Sequence, residues 1–586
     1  MENLLNLTID GKKVSVPAGS TILEAARTAG INVPTLCYLK GINEIGACRI
    51  CVVEVKGVRV LQAACVVPAG DGMEIMTNSQ KVREARRATL ELILSEHDRK
   101  CLTCVRSQNC ELQNLAKDLN VVDIPFMGER IVHEVDDLSP SIVRDNNKCI
   151  VCRRCVSACK DVQETSVIDA QNRGILTKIG CAFDASLDEM ACVYCGQCIN
   201  VCPTGALYEK DHIERVWDAL ACPDTHVVVQ TAPAVRVALG EEFGMPIGTN
   251  VAGQMVAALK RLGFDRVFDT NTGADITIME EGAELIDRIE NGGVMPMFTS
   301  CSPGWVKYLE SYYPEFVPNL SSCKSPHQMI GALVKSYYAE KEGIDPKKIY
   351  MVSVMPCIAK KFESERPEME VDGLRDVDAV ITTRELARMI KTACINWNAL
   401  NPDEEFDNPL GPASGAGAIF GASGGVTEAA LRTVAELLTG QPVEDIEFTN
   451  VRGEKGIKEY VVELPDKTIK GAVVQGTANA KKVVEKIKEG DCDYHFIEFM
   501  GCLGGCITGG GQPIVNSLDR SDNNVFELRA NAIYDYDKSR SVRRSHENLF
   551  IKKLYEELGE AGGEKAHHLF HTHYTARDKY PAALRK

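Results

Sequence analysis

The 586-residue chain has no surplus of basic residues: 66 Lys and Arg stand against 82 Asp and Glu, a formal net charge of −16. Nucleic acid is therefore a poor partner, since no cationic excess exists to neutralise phosphates. Docking to proteins through charged surfaces fits better. No uninterrupted apolar run approaches the ~20 residues a membrane-spanning helix requires. The opening stretch MENLLNLTIDGKKVSV alternates as a strand does, with no basic region followed by an apolar run and no twin-arginine leader. The expected location is the cytoplasm, where thiols stay reduced and serve as metal ligands, not disulfides. A dinucleotide-binding loop is missing too. Gly415-Ala-Gly417-Ala-Ile-Phe-Gly421 has the wrong spacing and follows a proline-containing loop, so the chain itself is expected to bind neither nicotinamide nor flavin.

Cysteine, by contrast, is abundant. Of 24 cysteines, 15 fall with one histidine into four spacings within the first 202 residues. Such a density implies electrons moved over distance. At 45% hydrophobic and 25% charged residues the chain is otherwise ordinary globular protein, long enough for several domains.

Cys37, Cys48, Cys51 and Cys65 are separated by ten, two and thirteen residues, with Gly46-Ala47 before the CxxC. Small side chains let backbone amides approach sulfur and tune a cluster's potential. A strand pair over Leu4–Val16 and a helix over Thr21–Ala29 are expected before this loop, and the four thiolates resemble a plant-type ferredoxin holding a 2Fe–2S cluster. Zinc is the alternative, although zinc ribbons usually pair two close CxxC knuckles. His97, Cys101, Cys104 and Cys110 follow. A lone histidine is commonly a surface residue, but here it stands where it completes a three-cysteine set for a 4Fe–4S cluster. The same pairing occurs in the cluster-bearing subunit of respiratory NADH dehydrogenases.

Two C-x2-C-x2-C-x3-C runs come next: Cys149, Cys152, Cys155, Cys159, and Cys192, Cys195, Cys198, Cys202, the last followed by Pro203. In two-cluster ferredoxins the fourth Cys of each run ligates the other cluster. One 4Fe–4S cluster is thus assigned to Cys149, Cys152, Cys155 and Cys202, the other to Cys192, Cys195, Cys198 and Cys159. Cys181, Cys222, Cys394 and Cys492 fit no spacing.

From about Thr225 the cysteines thin out and α/β alternation begins. Strands are expected at His226–Thr231, Arg266–Thr270, Met295–Thr299 and Ile349–Val354, with helices at Asn250–Leu262 and Ala274–Glu290. Three loops sit at or after apolar runs, where strand ends build sites: Thr299-Ser-Cys-Ser-Pro-Gly-Trp305, Met355-Pro-Cys-Ile-Ala-Lys-Lys361, and Glu498 through Pro513 with Cys502 and Cys506 among glycines.

In order and separation these three loops closely resemble the signature loops of the FeFe hydrogenases, and the upstream clusters resemble those of its large modular members. The resemblance covers essentially all 586 residues. It implies a multi-domain α+β and α/β chain: a plant-type ferredoxin-like domain (1–78), a His-ligated 4Fe–4S segment (79–120), a two-cluster ferredoxin domain (138–215), an α/β catalytic domain (222–520), and a fused small-subunit-like tail (521–586). The tail's histidines invite a metal reading; a wrapping structural role is preferred. The implied cofactor is the H-cluster, a 4Fe–4S cubane bridged to a two-iron unit carrying CO, cyanide and a dithiolate amine. By motif position Cys357, Cys502 and Cys506 are cubane ligands, with Cys506 the bridge. Lys360 holds a cyanide, and Ala232, Pro233, Met355 and Met500 line the pocket. Glu281, Glu284 and Arg288 share one helical face. By themselves they read as a solvated salt-bridge stripe; the resemblance makes them, with Cys301 and Ser321, a five-residue proton relay ending at Cys301.

One departure stands out. The family's first loop commonly reads TSCCPGW, whereas this chain has Cys301-Ser302. Either Ser302 supplies a harder oxygen as the fourth cubane ligand, or Cys301 turns inward to ligate and the relay loses its terminal donor. Cys323 is a third candidate that no spacing favours. Ala234 and His327 replace a serine and a glutamine common in relatives.

The implied activity is reversible H2 oxidation and proton reduction, with electrons passed to ferredoxin, NAD(P), or both. Three competitors are weighed against it. An NADH dehydrogenase subunit lacks the three later loops. A hydrogen sensor has no need of an intact relay, and an iron–sulfur assembly protein lacks Lys360 and the relay. The front modules resemble those of multi-subunit and electron-bifurcating hydrogenases, implying a flavin-containing NAD(P)-binding subunit, a thioredoxin-like 2Fe–2S subunit and ferredoxin as partners.

Overall fold

The computed structural model describes residues 4–126, 128–410, 412–441, 446–463 and 468–580; residues 1–3 and 581–586, at the ends of the first and last expected domains, lie outside them. Leu4–Ile9 and Lys12–Pro17 form the expected hairpin, within a five-stranded sheet. Its turn, Asp10-Gly11, takes two positive φ angles (48° and 81°), the conformation that matches strand twist in a two-residue hairpin. The helix Ile22–Thr28 begins at a capping box in which Thr21 and Glu24 satisfy each other's backbone amides. Between residues 142 and 209 lie two short antiparallel pairs, Ile142–Arg144 with Leu207–Glu209 and Asp169–Gln171 with Lys178–Gly180. Each of the paired cysteine runs winds through left-handed backbone at equivalent positions, Val151 and Arg153 in the first, Tyr194 and Gly196 in the second. That winding turns amides inward, toward sulfur.

Downstream stand two four-stranded sheets. The first has the order Arg266–Asp269, His226–Thr231, Ile349–Met355, Ala379–Thr382, all parallel. In the second, Met297–Thr299, Phe496–Met500 and Thr468–Gln475 are parallel, with Ile457–Glu463 antiparallel at the edge. Near-continuous apolar strands such as Val227-Val228-Val229 suit sheets covered on both faces. The helix Thr270–Asn291 starts four residues before the expected Ala274, because Asp269 caps it by accepting from the Asn271 amide; Gly292, left-handed, ends it. Thr270 therefore belongs to the helix, not the strand. Gly415 and Gly417 open a short helix pressed against its neighbours: a Cβ on Gly417 would lie 2.4 Å from the Asn271 carbonyl, and one on Gly415 would lie 2.1 Å from the Asp537 carboxylate. These glycines serve helix packing. The strands ending at Thr231, Thr299, Met355 and Met500 release their loops at carboxyl ends, where α/β folds place their sites.

Candidate active site and cluster sites

The first four thiols are drawn together at the 2Fe–2S position. Cys51 Sγ lies 3.2 Å from Cys65 Sγ, and the Cys48 amide donates to Cys37 Sγ at 3.4 Å. Cys37 is pulled down to about 6, chiefly by the adjoining Cys48 thiol with the Cys48 and Ala47 amides assisting against burial. The partner thiols Cys48 and Cys65 are pushed the other way, so the four share their protons as a closely packed set, the arrangement a metal cluster displaces.

His97 caps the helix Gln80–Glu96 and is buried, its Nδ1 without a hydrogen-bond partner. Burial holds its pKa down to about 4, so the ring is neutral, the form that binds metal. The Cys104 thiol faces Gly205, where a Cβ would approach it to 2.6 Å, and Cys110 Sγ lies 3.6 Å from the Pro203 carbonyl. The orphaned ring and three thiols fit a cluster.

In the paired runs Cys202 lies within electrostatic reach of Cys149, Cys152 and Cys155, and Cys159 within reach of Cys192 and Cys198. Cys198 is also within reach of Cys155 and Cys202, so the two expected sets stand side by side. Two routes lead into the first group. Asn43 donates to the carbonyls of both Cys37 (2.8 Å) and Cys152 (3.1 Å), and Arg106 donates to the Cys202 carbonyl at 2.9 Å. One route leads out of the second group. Gln197 Nε2 donates to Cys502 Sγ and to the Thr508 carbonyl, both at 3.2 Å. A Cβ on Gly510 would fall 2.4 Å from the Cys195 carbonyl, so glycine is what allows these two loops to touch.

Ala232, Pro233, Cys301, Ser302, Met355, Cys357, Lys360, Met500, Cys502 and Cys506 all line one cavity, joined by His327. Burial pushes Cys357 up to about 12 and Cys502 up to about 11. Buried, mutually repelling sulfurs in an apolar wall call for a cation, and an iron cluster supplies one. Glycines close the wall: a Cβ on Gly509 would sit 2.3 Å from the Pro356 carbonyl. Ser302 heads the helix Pro303–Tyr312, yet its hydroxyl caps nothing and instead accepts from the Gly501 amide at 3.3 Å. The adjoining Cys506 thiol, with the Lys360 charge assisting, pulls the Cys301 thiol down against burial.

Sequence reasoning missed two partners here. Lys360 Nζ donates to Glu363 at 2.8 Å, and Glu363 is also bound by Ser325 and by His327 Nε2. Glu363 is held at about 2, against burial, by the Lys360 charge first and His327 next, while burial keeps His327 neutral with a pKa of about 4. The i, i+3 spacing of Lys360 and Glu363 was the available signal. The second missed partner is Thr299, whose hydroxyl lies 2.7 and 2.9 Å from the two Glu281 oxygens.

The five expected relay residues converge. Burial pushes Glu281 up to about 8, with the Thr299 and Ser321 hydroxyls acting against the rise. Ser321 Oγ donates to Glu284 at 2.9 Å, and Arg288 Nη2 donates to Glu284 at 2.6 Å and to the Leu320 carbonyl at 2.7 Å. The solvated-stripe alternative does not describe this face, since Glu281 is 6% exposed and the Arg288 and Glu284 side chains only 12% and 15%. Cys301 is within electrostatic reach of Glu281, without a direct hydrogen bond among the described residues. Thr299→Val removes a donor to the Glu281 carboxylate, so the pKa of Glu281 rises further. The alkaline limb of a pH profile of H2 evolution should accordingly move to higher pH; an unmoved limb would detach Thr299 from the relay.

Cys323 lies away from the cavity, beside Glu284 and His571. Cys181 is buried against Arg144, and Cys222 and Cys394 are exposed. No helix among the described residues is long and apolar enough to cross a membrane.

Comparison with known proteins agrees along the chain. Residues 225–510 match the iron only hydrogenase large subunit, C-terminal domain, and residues 523–577 the iron hydrogenase small subunit. Upstream, residues 2–80 match a 2Fe–2S iron–sulfur cluster binding domain. Residues 86–125 match an NADH-ubiquinone oxidoreductase-G iron–sulfur binding region, and 139–208 the ferredoxin-like domain of NADH-quinone oxidoreductase subunit 3. The NADP-reducing hydrogenase subunit HndD of Solidesulfovibrio fructosivorans is 48% identical, over 98% of this chain and 100% of that protein. Iron hydrogenase 1 of Clostridium pasteurianum is 45% identical over 97% and 99%. The [FeFe]-hydrogenase HydA1 of Chlamydomonas reinhardtii, in a variant structure, superposes with a TM-score of 0.57 at 43% identity, covering 63% of this chain and 100% of that one. With the cavity, its three cysteine-bearing loops and this similarity along nearly its whole length, the chain belongs to the iron-only hydrogenases, oxidoreductases that interconvert H2 with protons and electrons, and it carries both 2Fe–2S and 4Fe–4S domains ahead of an H-cluster-bearing fold.

Proposed function

We propose that this hydrogenase exchanges electrons through one 2Fe–2S cluster on Cys37, Cys48, Cys51 and Cys65 and three accessory 4Fe–4S clusters, on His97 with Cys101, Cys104 and Cys110 and on the two crosswise sets. Cys357, Cys502, Cys506 and the Ser302 hydroxyl hold the cubane half of the H-cluster, and Lys360, steadied by Glu363, offers its charge to the two-iron half. When bound, the H-cluster supplies the redox-active iron at which the H–H bond is made or broken. Cys301 Sγ holds a proton at the cavity wall, and Glu281, Ser321, Glu284 and Arg288 carry it to and from the surface. Ala232, Pro233, Met355 and Met500 keep the cavity dry, which strengthens each charge interaction inside. The observation that carries this reading is the Gln197 amide, which spans from the last accessory loop to Cys502 Sγ. It joins electron supply to the cavity in one contact.

As a chain 48% identical to a protein named a subunit of an NADP-reducing hydrogenase, it is proposed to work in the cytoplasm with a flavin-containing NAD(P)-binding subunit and a thioredoxin-like 2Fe–2S subunit, alongside ferredoxin. Infrared spectroscopy of anaerobically matured protein should show CO and cyanide bands together with H2 uptake and evolution, and neither should survive loss of Cys506. Ser302→Cys is expected to retain those bands and shift the cubane's reduction potential, because thiolate is softer and less basic than a serine oxygen. An unshifted potential would remove Ser302 from the ligand set. A lone chain that reduces NAD(P) at full rate would refute the partner assignment.

A further inference from the structure

The C-terminal segment places a histidine beside the outer carboxylate of the relay. His571 is buried, and both its ring nitrogens are engaged: Nδ1 with Ser322 Oγ at 2.8 Å and Nε2 with Glu280 at 2.9 Å. Cys323 Sγ lies between Glu284 and His571, 3.9 Å from Glu284 Oε2 and 4.0 and 3.9 Å from His571 Nδ1 and Nε2. Beyond the ring, Glu280 accepts from the Tyr555 hydroxyl, and Tyr555 is half-buried on the tail helix Leu549–Leu558. Glu284, Cys323 and His571 are close enough to hold a metal ion. With Nε2 bonded to Glu280 and Nδ1 to the Ser322 hydroxyl, the ring can take a proton on one side and release it on the other, as a relay requires. Glu280 and Glu281 are neighbours on one helix and point to different networks, so a second chain of groups runs beside the first.

We propose that Glu284 is a fork, and that a second proton branch leaves it through Cys323, His571 and Glu280 to Tyr555, using groups that the C-terminal tail supplies. This rests on the relay reading given above. In an outward passage Glu284 gives its proton to Cys323 Sγ as the thiol passes its own to His571 Nδ1, from which the Ser322 hydroxyl turns aside. The other nitrogen releases a proton to Glu280, which hands it to the phenol oxygen as the phenol proton leaves to solvent. Each intermediary keeps its charge, His571 is left as its other tautomer until the ring resets, and no electrons move. Burial pushes the Cys323 thiol well up, so it remains protonated and able to conduct in this way.

The test uses the full, matured chain in four forms: parent, Arg288→Leu, His571→Gln and the double variant. Glutamine keeps polar contacts but cannot take a proton on one side and release it on the other. If the branch exists, Arg288→Leu retains residual turnover, and adding His571→Gln lowers it by roughly tenfold or more. Small imidazole buffers should then restore part of the loss in Arg288→Leu/His571→Ala, and the solvent deuterium isotope effect should grow, while the infrared bands stay unchanged. Since His571 also pins the tail, Tyr555→Phe in the Arg288→Leu background repeats the test by removing one oxygen. Double variants no slower than Arg288→Leu alone would overturn the branch while leaving the main relay standing. Failure of the relay itself would show separately, as full activity in Glu281→Gln.

Discussion

Replacing Glu281 with Gln is expected to lower H2 turnover in both directions by about 10²- to 10⁴-fold, the range a positioned proton carrier contributes. Gln preserves the volume and can still accept from Thr299, so the helix Thr270–Asn291 and the cavity should persist. What disappears is a carboxyl that burial has tuned to about 8, close to working pH. Iron content and infrared bands serve as controls, and turnover within about threefold of the parent would sink the assignment. A stability signature accompanies the kinetic one. An acid whose folded pKa lies above its unfolded value of about 4.3 binds more protons folded than unfolded between those limits. Its contribution to stability therefore falls as pH rises from about 4 to 8. Gln has no such slope, so the parent should lose stability relative to Glu281→Gln as pH climbs through that window.

Lys360→Met is expected to cost about 3–5 kcal/mol of stability near pH 8, because it strands Glu363 as a buried carboxylate without its cation. His327, neutral in the parent, is the remaining polar contact with Ser325. At lower pH the stranded group can take up a proton, so the cost should shrink. Of the three tryptophans, Trp305 and Trp397 lie in the catalytic domain and Trp217 packs against its core, so their emission during denaturant unfolding reports on it. Glu363→Gln introduced into Lys360→Met should recover much of the stability and none of the H2 turnover. That split separates the structural partner of Lys360 from its task at the cavity. Equal instability of single and double variants would mean the Lys360–Glu363 pair is not what the substitution damages.

Much of the chemistry was legible in one dimension because iron–sulfur ligands are short-range features. A CxxCxxC run must wrap one cluster, and its spacing says so without knowledge of the rest. The strand at His226–Thr231 was likewise plain, since a fully buried parallel strand is an unbroken apolar run. The start of the long helix was not, because capping by Asp269 overrides the apolar pattern that Val267 and Phe268 impose on Thr270. Glu281 shows the limit of periodicity. Spacing put it on a face with Glu284 and Arg288 but not its burial, and burial, not spacing, raises its pKa.

The amino-acid order alone determined the cysteine spacings, the parallel strands that end in cysteine loops, and the resemblance that pointed to the family. Only the folded chain decided that Glu363 braces Lys360, that Thr299 restrains Glu281, that Gln197 reaches Cys502, and that the tail's His571 stands beside Glu284. Ligand spacing is set by the few bonds between neighbouring residues. Proton affinity and electron routes are set by desolvation and by contacts between segments up to about 300 positions apart, and these exist only once the chain has packed.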